Sequence, residues 1–92
     1  MITVESDLTR EELEQCGVFD WPVWERGVSR FEWSYDEAES CYLLEGEVKV
    51  TPRGGPPVRI VAGDYVTFAA GLDCVWDIRV PVRKHYAFNV SR

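Results

Sequence analysis

The sequence predicts an all-β sandwich or barrel with one short N-terminal helix. Apolar and polar residues alternate with a period of two over most of the chain after Trp21, the pattern of half-buried strands. Clusters of glycine, proline and aspartate interrupt that alternation, as turns between short antiparallel strands do. Helix signals occur in one stretch only, near the N-terminus. No repeat at solenoid spacing and no linker is present, so the 92 residues are read as one domain. Residues 1–22 form the helix and lead-in, and residues 23–90 the barrel.

Thr9 is placed to cap the helix, with Glu12 completing a capping box and Leu8 and Leu13 forming a hydrophobic staple. Glu11 and Glu12 sit in the first turn, where the helix dipole favours negative charge. Gly17 suits the position just past the end. The helix runs from Arg10 to about Cys16, too short to be stable alone, and is expected to pack on the outside of a sheet. Pro22 then forces Trp21 towards an extended conformation, and Trp21-Pro22-Val23-Trp24 is read as closing a barrel end.

Phe31, Trp33 and Tyr35 share one face of the next strand, with Arg30, Glu32 and Ser34 on the other. Asp36-Glu37-Ala38 is a turn. Ser40 to Leu44 is a strand covered on both faces, and Glu45-Gly46 is expected to reverse the chain tightly into Val48–Thr51. Arg53-Gly54-Gly55-Pro56-Pro57 is a loop. Val58 to Val61 and Tyr65 to Phe68 are strands joined by Ala62-Gly63-Asp64, and Ala69-Ala70-Gly71 is a further loop. The last two strands are Cys74 to Val80 and Val82 to Val90, separated by Pro81.

Composition narrows the function. The formal net charge is -6, and no basic stripe with interleaved aromatics is present, which argues against nucleic-acid binding. No apolar run approaches the length that spans a bilayer. Charges occupy the N-terminal stretch where a signal peptide carries an apolar core, so a cytoplasmic location is expected. Cys16, Cys41 and Cys74 make an odd count without a C-x-x-C pair, the pattern of reduced thiols rather than of a disulfide framework.

Two stretches fit paired motifs. Gly27, Glu39 and Gly46 match the spacing G-x5-H-x-H-x3-E-x6-G, with Trp33 and Tyr35 at the histidine positions. Gly63 and Gly71 match G-x5-P-x-G-x2-H-x3-N, with Ala69, Cys74 and Ile78 at the proline, histidine and asparagine positions. On these motifs the chain resembles the cupin superfamily. The wording from Trp21 to Tyr86 is similar to the small single-domain, RmlC-like cupins grouped with (S)-ureidoglycine aminohydrolase, mostly hypothetical proteins of bacteria and plants. The resemblance implies a jelly-roll barrel of two antiparallel sheets and a homodimer.

In metal-binding cupins, two histidines, the motif glutamate and the second-motif histidine hold a divalent ion. Here those positions are Trp33, Tyr35, Glu39 and Cys74, which leaves one oxygen and one sulfur ligand, too few for a closed site. Cys41 shares the face of Glu39, and His85 is the sole histidine. If any metal binds, the ligands expected are Glu39, Cys74 and His85, with Cys41 beside them. Parity places His85 on the face of Arg83 and Asn89, away from Val82, Tyr86 and Phe88, unless a bulge intervenes. The usual metal site is therefore expected to be missing, and no cofactor is expected.

The same parity puts Lys84 on the inward face with Tyr86. A buried charge is costly without a partner, so Glu39 and Lys84 are expected to pair near the barrel mouth, or Glu39 to be held by the Tyr35 hydroxyl. Candidate catalytic groups are Glu39 as a general base, Cys74 as a thiol activated by Lys84, and Lys84 itself. The inert alternative for Cys74 is a core cysteine. The candidate ligand pocket comprises Trp33, Tyr35, Glu39, Cys41, Cys74, Trp76, Lys84 and His85.

Three functions follow. The first is binding of a small polar molecule in an aromatic-lined pocket without the usual metal. The second is a metal-dependent enzyme like ureidoglycine aminohydrolase. The third is a structural or regulatory dimer module with no ligand.

Overall fold

Two long strands organise the molecule. The computed structural model describes residues 1–90. Its elements are β1 (Ile2–Glu5), α1 (Arg10–Gln15), a 3₁₀ turn (Val18–Asp20), β2 (Val23–Arg26), β3 (Ser29–Ser34), β4 (Glu39–Pro52), β5 (Val58–Val61), β6 (Tyr65–Phe68) and β7 (Asp73–Phe88). β4 and β7 pair antiparallel along nearly their whole length. Their Glu39–Glu45 and Arg83–Phe88 halves lie in a sheet ordered β1-β6-β4-β7-β2. Their other halves are flanked by β5 on β4 and β3 on β7. Every pairing is antiparallel, and the two sheet halves close over one core. This is the all-β architecture that the strand pattern predicts, in the jelly-roll form that the resemblance implies.

The expected reversal at Glu45-Gly46 and the expected break at Pro81 are both corrected. The chain passes through each point as one bent strand. Register shifts fall between Leu43 and Val48 on β4, opposite Val80 to Arg83 on β7. Gly46 has φ +104°. A Cβ there would run into the Pro81 carbonyl oxygen and lie 2.9 Å from that of Val80. Proline, which lacks a ladder donor, is tolerated at such a bulge. Gly46 and Pro81 thus accommodate one another, and the corner passes from one sheet half to the other without a hairpin.

β1 is a second correction, because the lead-in contributes a strand. Ile2, Val4 and their neighbours pair with β6 in the register Ile2–Phe68 to Glu5–Tyr65. The helix forms as the capping signals indicate. Glu12 N donates to Thr9 Oγ1 at 3.1 Å and Thr9 N to Glu12 Oε1 at 3.0 Å, and Gly17 follows the end with φ +77°. α1 and the 3₁₀ turn pack on the outer face of the sheet, where Leu13, Val18 and Tyr65 are buried with Phe19, Trp21 and Tyr42 against them.

The main core lies between the sheet halves and includes Leu43, Val48, Val50, Ile60, Phe68, Trp76 and Ile78. Cys16, Cys41 and Cys74 are unbridged. Among the described residues, no helix is long and apolar enough to cross a membrane.

Candidate functional site

The site grows from the parity of β4 and β7. Leu43 faces Lys84, Cys41 faces Tyr86 and Glu39 faces Phe88, so alternate side chains from both strands point into the barrel. Glu39 reaches past Cys41 to the ammonium, and Lys84 Nζ donates to Glu39 Oε2 at 2.8 Å. Both side chains are only 7% exposed.

Neighbouring strands supply the aromatic surroundings. β2 sets Trp24 directly across from Lys84, and β3 sets Phe31 across from Trp76. Lys84 Nζ lies 5.0 Å from the Trp24 ring centroid and 4.8 Å from that of Trp76, within cation–π range. Tyr35 stacks on Phe68 with centroids 4.7 Å apart and planes 6° from parallel. Its hydroxyl accepts from Trp76 Nε1 at 3.2 Å, and of the two partners expected for Glu39 it is Lys84 that holds the carboxylate.

These groups enclose an open cavity of about 240 Å³. Trp24, Phe31 and Trp76 form one wall, and Tyr35 and Tyr86 also line it. The Glu39–Lys84 pair supplies its charged groups. Trp33 and Phe88, 47% and 51% exposed, stand where the cavity meets solvent.

Burial sets the protonation of the neutral groups. It pushes the Tyr35 hydroxyl far above the ordinary phenol range, and the nearby Glu39 charge adds to that. Tyr35 is therefore a neutral hydroxyl. The Cys41 thiol is pushed up to about 11, chiefly by burial, although the Lys84 ammonium pulls the other way. Burial also raises Cys74.

Of the residues singled out in the sequence, Trp33, Tyr35, Glu39, Trp76 and Lys84 come together around the cavity. Three others do not line it. Cys41 is fully buried in the core beneath it. Cys74 is buried opposite Trp33, with its Sγ 3.6 Å from the Trp33 carbonyl oxygen. It borders a separate open groove with Ser34, Arg53 and Asp73. The activation of Cys74 by Lys84 is thus corrected: Cys41 is the thiol that senses Lys84, and burial outweighs the ammonium there. His85 is on the outer face, as strand parity dictates. Its Nδ1–H donates to the Trp21 carbonyl oxygen at 2.9 Å, and its ring meets Phe19 edge-on.

Trp24, Phe31, Tyr86 and Phe88 line the cavity but were not singled out as pocket residues. For Phe31, Tyr86 and Phe88 the signal was present, since each shares a strand face with a residue that was. Trp24 had no such signal, because β2 finds its place only through pairing with β7.

The donor set does not fit the divalent ion that the cupin resemblance implies. Glu39 is paired with Lys84, the Tyr35 hydroxyl accepts from Trp76, and His85 is on the opposite face. Among the described residues, no group of three or more His, Cys, Asp or Glu side chains is gathered to hold a metal.

Comparison with known proteins places these features. The profile of the EutQ-like cupin domain matches residues 13–86. A crystal structure of a DUF861 family protein from Thermotoga maritima is 46% identical, with a TM-score of 0.92, and the alignment covers 96% of this chain and 99% of that one. A DUF861 protein of unknown function from Pseudomonas syringae pv. tomato is 29% identical with a TM-score of 0.66, over 73% of this chain and 29% of that one. A putative ethanolamine utilization protein Q from Salmonella typhimurium shares the fold at 24% identity and a TM-score of 0.65, over 72% of this chain and 53% of that one. The match thus spans about half or less of those last two proteins. None of the curated proteins matches the chain significantly.

Proposed function

This chain belongs to the EutQ-like cupin domain family, and from that premise we propose that its barrel binds a small polar molecule with a flat, apolar body, without the usual cupin metal. One observation carries the reading: a buried ion pair in an otherwise aromatic, solvent-connected cavity. The cavity of about 240 Å³ lies below the range of roughly 300–1,000 Å³ that holds drug-sized ligands, so the ligand is small. Aromatic walls favour a flat body. The pair is neutral as a whole, and a group that offers both a donor and an acceptor, such as a carboxamide, complements it.

Benzamide is a suitable probe. It is expected to move the Trp24 and Trp76 indole N–H signals in NMR titration, and Glu39→Gln is expected to weaken it about tenfold, the worth of one charge-assisted hydrogen bond. Unmoved indole signals at millimolar benzamide would sink the reading. A metal-dependent activity like that of ureidoglycine aminohydrolase is the alternative the donor set supports least, since Glu39 already holds an ammonium.

Self-association as a homodimer belongs to the same reading. Among the described residues, β1, β2, β3 and β5 each pair along one side only, which leaves edges that a second copy can cover. Sedimentation at micromolar concentration tests it, and a monomer mass counts against it.

A further inference from the structure

We propose that Lys84 is a carbonyl-capturing amine, which forms an imine with a small aldehyde or ketone that enters the aromatic cavity. The inference rests on the binding reading above and adds a covalent step to it.

Three features point there. Lys84 lines the cavity with its side chain 7% exposed, so a molecule that fills the cavity lies against this lysine. Lysines act as nucleophiles once desolvated and deprotonated. Here Glu39 and the two indole faces favour the ammonium, so a proton must leave Nζ before it can attack. A proton acceptor is already in position, because Glu39 Oε2 is 2.8 Å from Nζ. The site also tolerates the product. A protonated imine keeps one positive charge at the same nitrogen, so it preserves the pair with Glu39 and the contacts with Trp24 and Trp76.

The step balances within the site. Glu39 takes a proton from the ammonium, and the freed lone pair attacks the carbonyl carbon as the C=O π pair moves to oxygen. That oxygen takes up a proton from the nitrogen, giving a neutral carbinolamine. Glu39 returns its proton to the hydroxyl, water leaves, and the nitrogen lone pair closes the C=N⁺ bond. One ammonium and one carbonyl become one iminium and one water, with no oxidant or metal. Cavity size limits the partner to a small carbonyl compound with an apolar or aromatic body.

The chain has only two lysines, Lys49 and Lys84, and Lys49 is exposed, which makes it an internal control. Folded protein is treated with benzaldehyde and sodium cyanoborohydride, which fixes imines as stable amines, and labelled sites are mapped by peptide mass. Lys84 is expected to label about tenfold faster than Lys49 and the terminal amine, as an activated lysine does. Glu39→Gln is expected to remove that advantage. Lys84→Arg, which keeps the charge but cannot form the imine, is expected to leave only the background at Lys49 and the N-terminus. Label at Lys84 no faster than at Lys49 overturns the proposal. If benzamide binds under those conditions, only the imine step falls; if benzamide also fails to bind, the pocket reading falls with it.

Discussion

Lys84 Nζ lies 2.8 Å from Glu39 Oε2 across 45 positions of sequence, with both side chains all but removed from water. The register of β4 on β7 makes this contact, since Leu43 opposite Lys84 sets Glu39 two pairs further along the same inward face. Glu39 stands at the glutamate position of the first motif. A lysine on the last strand thus neutralises that buried carboxylate.

Breaking this pair from one side is expected to be costly. Lys84→Met strands a buried carboxylate, and the loss in urea unfolding is expected to be about 3–5 kcal/mol. Glu39→Leu with Lys84→Met removes both charges, and the double variant is expected to recover most of that loss. A double variant no more stable than Lys84→Met would show that the aromatic contacts of Lys84, not its charge, hold the site together.

Gly46 is expected to tolerate no side chain. Alanine there would meet the Pro81 backbone and would have to hold φ near +104°. Gly46→Ala is expected to cost about 3 kcal/mol or more, combining left-handed strain with a clash that only backbone movement relieves. Thermal unfolding checks it, and a midpoint within a degree or two of the parent would mean that the corner is pliable.

Stability is expected to fall in alkali. The folded chain keeps the Cys41 proton up to about pH 11, whereas an unfolded thiol loses it near its ordinary value of 9. Between those values the folded state binds more protons, so stability is full below pH 9 and is lost as pH rises towards 11. The loss from Cys41 is about 2–3 kcal/mol. Tyr35, also raised by burial, acts in the same direction. Urea midpoints measured from pH 8 to 11 are expected to decline less steeply for Cys41→Val, and an unchanged slope would clear Cys41 of the effect.

The N-terminal cap is expected to act locally. Thr9→Ala removes the hydroxyl that accepts from Glu12 N and is expected to cost about 1 kcal/mol. Amide exchange should quicken in α1 while β4 and β7 stay protected. Faster exchange throughout the barrel would instead show that the outer cluster of Leu13, Val18 and Tyr65 is coupled to the core.

The amino-acid sequence by itself determined the β class, the capped helix, the strands Val58–Val61 and Tyr65–Phe68, and the inward parity of Glu39 and Lys84. These are local properties: a period of two, a capping box and turn residues act within a few positions of one another. Tertiary structure decided the rest. Glu45-Gly46 and Pro81 look like ends when each is read alone, and become one shared bend only because β4 and β7 lie side by side. Ile2–Glu5 becomes a strand because β6 offers it an edge. Trp24 joins the cavity because β2 pairs with β7 opposite Lys84, while Cys74 and His85 are turned elsewhere. Which backbone edge meets which is a long-range choice, made by burial of the whole core, and the position of each cavity-lining side chain follows from it.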